Sequence, residues 1–518
     1  MKTRLTLSAF LLLLAAAPLH AQTWSNNGTD WGATTNWTGG VVPNSTTANA
    51  TFNGTITYQP DIGASNYTIT GLNVGSASSN VTLGGSTGNL TFTSTTSSTV
   101  IDVAANKSLT LGANITFDSA LTGTQWLPKI TANAGSVIEF ASGSTLTSKI
   151  GSGNATSIAY ALQGSGTYNF NGAFVASNTT TIANKGNGTI NWNPSSTSGT
   201  INIQQSGTAG SQFNLYKSAG TITFGSAGSG TRTITIKADA LTFGTTTMWN
   251  ATDAGTNPYK NVLAIDDGTA SAISVSLTNL TLTSNSSLGT NELFVGANDS
   301  MTFTGNITRG AGTTATTLTK SGAGTLVFSG NNTTSYTDAT VVSAGTLLLS
   351  GNRSMTGTSG VTVAAGATFT NNSSASFTKN LTLTEGAGAA GSVINGSGTF
   401  AAGNMTISSD LSDDFTTFAL GSATLTKGGL LALTLSGITN GDYTLFSGGT
   451  IGGAFTGLSI NGFGLTKSGN NFSGSTGGKD YTFTNTTNLL NVIPEPTTWV
   501  LLAISLTVVT ILRRRRQS

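Results

Sequence analysis

The chain has 518 residues, among them 67 glycines, 8 prolines, one histidine and no cysteine, and only 8% of its residues are charged, against about 25% in an ordinary soluble domain. With no cysteine and no histidine beyond His20, thiol chemistry, Ser-His-Asp and Cys-His arrangements and nearly every zinc site are excluded. Disorder is a poor fit as well, because 23 phenylalanines and recurrent Val, Ile and Leu supply the apolar surface that disordered chains lack.

The first 21 residues read as a secretory signal peptide: a basic start at Lys2 and Arg4, an apolar run from Leu5 to Ala17, and a cleavage site at Leu19, His20 and Ala21. Secretion machinery and signal peptidase are the partners this implies. Losing Lys2, Arg4 and the four terminal arginines would leave 15 basic residues of the 21, against 19 acidic ones, a net of −4. A slightly acidic body argues against nucleic acid as a partner.

Residues 22–58 are rich in turns and hold Trp24, Trp31 and Trp37 within 14 residues. Two readings stand side by side. The rings cover the open end of a first coil, or they form platforms on which glycan rings stack.

From 59 to 394 short strands alternate with turns, and no helical periodicity intervenes. Leu90 and Phe92, Leu109 and Leu111, and Ile115 and Phe117 stand two apart with Thr between them, the pattern of a strand with one apolar face. Ala-Gly pairs at 323–324, 344–345 and 365–366 recur at 21 residues, with a fourth at 387–388. Leu326 and Phe328 should share a face, and Gly324 and Gly345 should mark turns. A unit this short buries its apolar face only when the next coil stacks on it. The expected fold class is therefore all-β: a parallel β-helix (solenoid) with an N-terminal cap, of about 17 coils at about 25 residues each. A hairpin interrupting the coil is expected at 245–265.

Residues 395–490 read as a closing β unit, with strand-turn-strand patterns at 441–448 and 455–460. At the C-terminus, Pro494, Glu495 and Pro496 precede uncharged, mostly apolar residues 497–512 and then Arg513, Arg514, Arg515 and Arg516. The 16-residue span suggests a transmembrane helix of about 24 Å, with the arginines favouring a cytoplasmic tail.

Residues 493–518 resemble the PEP-CTERM sorting signal of Gram-negative bacteria, in the tripeptide, the apolar span and the basic tail together. The resemblance implies export, transient anchoring in the inner membrane, processing by an exosortase-type membrane protease, and a destination at the cell surface or in an exopolysaccharide or biofilm matrix. Ile493 and Thr497 stand where the family usually has Val and Ser.

Residues 318–351 resemble the autotransporter-associated β-strand repeat. The matching positions are Leu318, Lys320, Gly322, Gly324, Leu326, Phe328 and Gly330, then Gly345, Leu347 and Leu349. Leu425 to Gly428 and Leu465 to Ser468 echo its start. The family repeat lies in right-handed parallel β-helices of secreted passenger domains, which is the handedness it implies here. The opening around Asn36, Trp37, Val42 and Pro43 is similar to the Trp-rich segment that precedes such repeats.

No catalytic residues, no metal site and no cofactor are expected. Asp266 and Asp267, Asp338, and Asp410 with Asp413 and Asp414 are the acids available to a glycosidase pair or to calcium, with Arg232, Arg309 and Arg353 the only arginines of the mature body. The expected role is a non-enzymatic structural or adhesive protein with exopolysaccharide as ligand. The alternatives are a carbohydrate-active β-helix enzyme, recognisable by a groove that gathers acids from separate coils, and a passive coat without a ligand.

Overall fold

The structure is a computed structural model that describes residues 21–94, 99–119, 128–150, 157–177, 179–207, 209–225, 230–250, 259–284, 289–310, 317–331, 334–385, 391–412, 417–495 and 498–515. The expected signal peptide, Ala21 apart, lies outside them, as do Ala387, Gly388, Asp413, Asp414, Pro496 and Arg516. The chain divides into two compact units, Met1–Ile201 and Asn202–Ser518. The fold is an all-β parallel solenoid of about 15 turns with 4% helix.

In the first unit the coils after the opening ones contribute strands to three sheets. One runs from Ala21–Thr23 through Asn49–Phe52, Gly71–Val74, Thr99–Val103, Lys129–Ala132 and Ser157–Gln163 to Thr179–Asn184. The second begins at Val81–Leu83 and ends at Thr189–Trp192, and the third begins at Asn66–Ile69 and ends at Thr197–Ser198. All pairings between these strands are parallel and bring like side chains into line, so that Leu111, Phe140, Phe170 and Trp192 occupy successive rungs. The Phe140 and Phe170 rings stack 4.9 Å apart at 11°. Alternation at period two explains the rest: Leu90, Phe92, Ile115 and Phe117 are fully buried, and the threonines between them face outward.

The second unit repeats the scheme. Thr325–Phe328, Thr346–Leu349 and Thr368–Asn371 are consecutive parallel strands, and Leu326, Leu347 and Phe369 pair in register at the core. Coil length is not constant. Val342 and its neighbour Val363 are 21 residues apart, whereas Ile234 and Leu263 are 29 apart and, in the first unit, Ile138 and Tyr168 are 30. The 21-residue period is thus local to the repeat region, and longer coils account for fewer turns than expected. The hairpin expected at 245–265 does not appear in the described residues: Thr246–Asn250 and Tyr259–Ile265 both pair in parallel with the coils on either side.

Parallel stacking passes residue 394 and continues to Gly457–Ile460. An antiparallel sheet then forms from Gly441–Thr444, Leu489–Pro494, Lys479–Thr484, Asn471–Thr476 and Thr466–Ser468. A helix follows at Thr498–Arg515. Among the described residues no helix is long and apolar enough to cross a membrane. The helix expected at 497–512 is present over Thr498–Arg515, and its crossing of a membrane is not shown. Three of its 18 residues are Arg513, Arg514 and Arg515, and the uncharged remainder reaches about 22 Å at 1.5 Å per residue, short of a hydrocarbon core of roughly 30 Å.

Candidate functional site

The three tryptophans are brought together and buried. Trp24, Trp31 and Trp37 have at most 3% of their surface exposed. Trp37 meets Trp24 and Trp31 edge-on, with ring centroids 5.0 and 4.7 Å apart, and Phe52 lies 6.0 to 6.2 Å from all three. Each indole N–H donates to a backbone carbonyl: Trp24 to Tyr58, Trp31 to Pro43 and Trp37 to Trp31. With their faces spent on one another, none of these rings is open to a sugar.

In the repeat region Leu318, Leu326, Phe328, Leu347 and Leu349 line the core, and so does Lys320. Period two places Lys320 on the same inner face as Leu318. Its Nζ donates to the carbonyls of Ser321 at 2.8 Å, Gly322 at 2.7 Å and, from the next coil, Ala344 at 3.1 Å. The lysine thereby bonds the carbonyl at the end of its own strand and two carbonyls in turns. Gly345 turns the chain at φ +64°, whereas Gly324 is needed for closeness: a Cβ there would lie 2.1 Å from the Gly296 carbonyl oxygen. Gly322 and Gly330 also have positive φ.

Of the two sequence echoes, the first buries its lysine as Lys320 is buried, and the second leaves Lys467 exposed. Lys427 is buried and donates to the Asn488 side chain at 2.7 Å and to the Asn485 carbonyl, tying strand Thr424–Lys427 to the turn before Leu489–Pro494. Lys467 donates to the Phe455 carbonyl at 3.0 Å. Arg353, absent from the sequence-based site, is fully buried, and its Nη2 bonds the carbonyls of Gly305 at 2.6 Å and Ser329 at 2.5 Å on two preceding coils.

Burial lowers the Lys320 ammonium from 10.5 to about 8. Between those values the unfolded chain binds more protons than the folded one, so folding stability should rise with pH across that window. The urea midpoint of the wild type is expected to increase relative to Lys320→Met between about pH 7.5 and about pH 9.5. A flat difference would mean that burial does not depress the Lys320 pKa in the folded protein.

The acids are mostly structural. Asp266 and Asp267 accept bonds from the Gly268 and Thr269 N–H groups in tight turns, and Asp338 lies 3.7 Å from Arg309. The exception is a cavity of about 300 Å³ where Thr384, Ser408 and Thr434 align across three coils. Glu385, Ser408, Ser409, Asp410, Thr434 and Ser436 line it together with Leu435. Glu385 accepts a hydrogen bond from the Ser409 hydroxyl, and Asp410 accepts one from the Ser412 N–H at 2.9 Å. Bonds from Ser412, first its backbone N–H, hold the Asp410 carboxyl below the usual carboxylate range. The pocket can accept hydroxyl donors. Among the described residues no three acids gather to hold a metal ion.

At the C-terminus Pro494 closes the last strand opposite Lys479, Glu495 donates its N–H to the Gly478 carbonyl at 3.1 Å, and Arg513 to Arg515 form the helix end. Sequence reasoning missed Arg353 and the pocket. A cue existed only for Lys320 and Lys427, as the Leu-Thr-Lys tripeptide that puts the cation two residues from a core leucine.

Residues 318–349 match the family described as passenger-associated-transport-repeat. No curated protein and no solved structure matches the chain. A repeat associated with autotransporter passengers, carried on a β-helix fold, fits a surface or adhesive protein.

Proposed function

We propose that this chain is an exported, non-catalytic structural or adhesive protein of the cell envelope or the exopolysaccharide matrix. The observation that carries the reading is the passenger-type repeat at 318–349 within a charge-poor parallel solenoid. Pro494, Glu495 and Pro496 with Arg513 to Arg516 support sorting by a PEP-CTERM signal and cleavage by an exosortase-type protease. On this reading the C-terminal helix meets the inner membrane only in passing, its arginines reaching the cytoplasmic headgroups to make up for its short apolar length. Hydroxyl and amide groups repeated from coil to coil bind polymer weakly at many points, and multivalency turns this into retention.

The full chain is expected to co-sediment with the exopolysaccharide of its own host without shortening it, and the mature protein to have an intact mass lacking Arg513 to Arg516. A mature species that keeps those arginines would overturn the sorting reading. Glu385 and Asp410, from adjacent coils of one pocket, favour a carbohydrate-active enzyme as the second reading. Polymer shortening that is lost in Glu385→Gln would establish it. A chain that neither binds nor cleaves would be a passive coat.

A further inference from the structure

The third sheet of the first unit turns ordered rows of polar groups outward. Parallel pairing aligns Thr68, Thr91, Thr116 and Thr147 in one row, beside a second row of Asn66, Asn89 and Asn114. Strands in a sheet lie about 4.8 Å apart, so hydroxyls recur at that interval along the threonine row and amides along the asparagine row, and alternate residues separate the rows by about 6.6 Å. The array is held in place by the coils themselves. Asn66 accepts the Asn89 N–H at 3.1 Å, Asn114 accepts the Thr145 N–H at 3.0 Å, and the Thr116 hydroxyl donates to Asn89 at 2.9 Å. A group already fixed loses little freedom when a ligand arrives.

The face carries no net charge. On its third row Asp118 and Lys149 neutralise each other at 3.2 Å. We propose that this face docks an extended, uncharged polysaccharide lying along the rows, across the strands, with the hydroxyls of successive sugars meeting successive rungs. The proposal rests on the adhesive reading and gives it a site and a ligand class. Charge complementarity selects the occupant: a neutral face on a body that is net negative offers a polyanion nothing, while hydroxyls that both donate and accept suit a polymer of hydroxyls. A protein partner would want apolar anchors, and the row holds a single one, Val175, 37% exposed, between Thr147 and Ser198.

The test uses the full chain and its Thr91→Val/Thr116→Val/Thr147→Val variant, because valine keeps the β-branched shape and removes only the hydroxyl. Both are co-sedimented with amorphous cellulose, a neutral extended glucan, and with gelled polygalacturonate as the acidic control. Wild type should bind the cellulose in preference, and the triple variant should bind it at least about tenfold more weakly with an unchanged thermal midpoint. If the triple variant melts early, Thr116→Lys, which places a charge in mid-row, takes its place under the same criteria. Undiminished binding by the variant, or a wild-type preference for polygalacturonate, would overturn this face as the docking site and leave the adhesive reading standing. Wild type that binds neither these polymers nor the host's own exopolysaccharide would remove both.

Discussion

Arg353→Ala should destabilise the second unit by about 3–5 kcal/mol, from two or more carbonyls left without a partner at about 1–3 kcal/mol each and from the cavity of the lost stem. The carbonyls are those of Gly305 and Ser329, which Arg353 bonds at 2.6 and 2.5 Å. The Phe303 carbonyl, 3.4 Å from the same nitrogen, also receives the Ser329 N–H and should suffer less. An opposing effect limits the loss. Burial disfavours the charged guanidinium and lowers its pKa, and its Nε and Nη1 find no partner among the described residues. Arg353→Met separates the two contributions, because it keeps most of the stem and removes the donors. Urea unfolding should place Met between wild type and Ala. A Met variant as stable as wild type would show that packing alone was at stake. Because strand pairing joins each coil only to its neighbours and Arg353 reaches two coils back, hydrogen exchange should speed up first at the amides near Ser329 and Gly305.

Trp37→Ala should cost the first unit about 3–5 kcal/mol, the usual range for removing a fully buried large aromatic. Trp37 sits between Trp24 and Trp31 and donates to the Trp31 carbonyl at 2.7 Å, so its loss opens the cluster from the middle. The first strand, Ala21–Thr23, depends on one parallel neighbour, Asn49–Phe52, and Phe52 belongs to the same cluster. Loss of near-ultraviolet ellipticity and early proteolysis within residues 21–58 are the expected signs. Trp37→Phe should recover part of the loss through ring packing. A stable Trp37→Ala protein with reduced binding to glycan would reverse the assignment and make the ring a ligand platform.

The alternation of Leu, Ile, Val and Phe with Thr was enough to give strands and to say which side chains point inward, because that choice is local and repeats every second residue. The recurring Ala-Gly pair marked stacked coils, and the burial of Lys320, two residues after Leu318 on one strand, became visible only in the fold. What the strand pattern leaves open is register. With coils of 21 residues in one place and 30 in another, the alignment of Thr68 with Thr91, Thr116 and Thr147 is set by how much chain each turn consumes. Glu385 and Asp410 meet in one pocket, and Arg353 reaches carbonyls 48 and 24 residues away, for the same reason. The burial of Trp24, Trp31 and Trp37 also waited on the fold, since a tryptophan in a turn-rich segment packs inward or faces a ligand according to what the neighbouring coil leaves open. Which face a side chain occupies is a property of its own strand. Which side chains it meets depends on the path of the whole coil, and that only the tertiary structure decides.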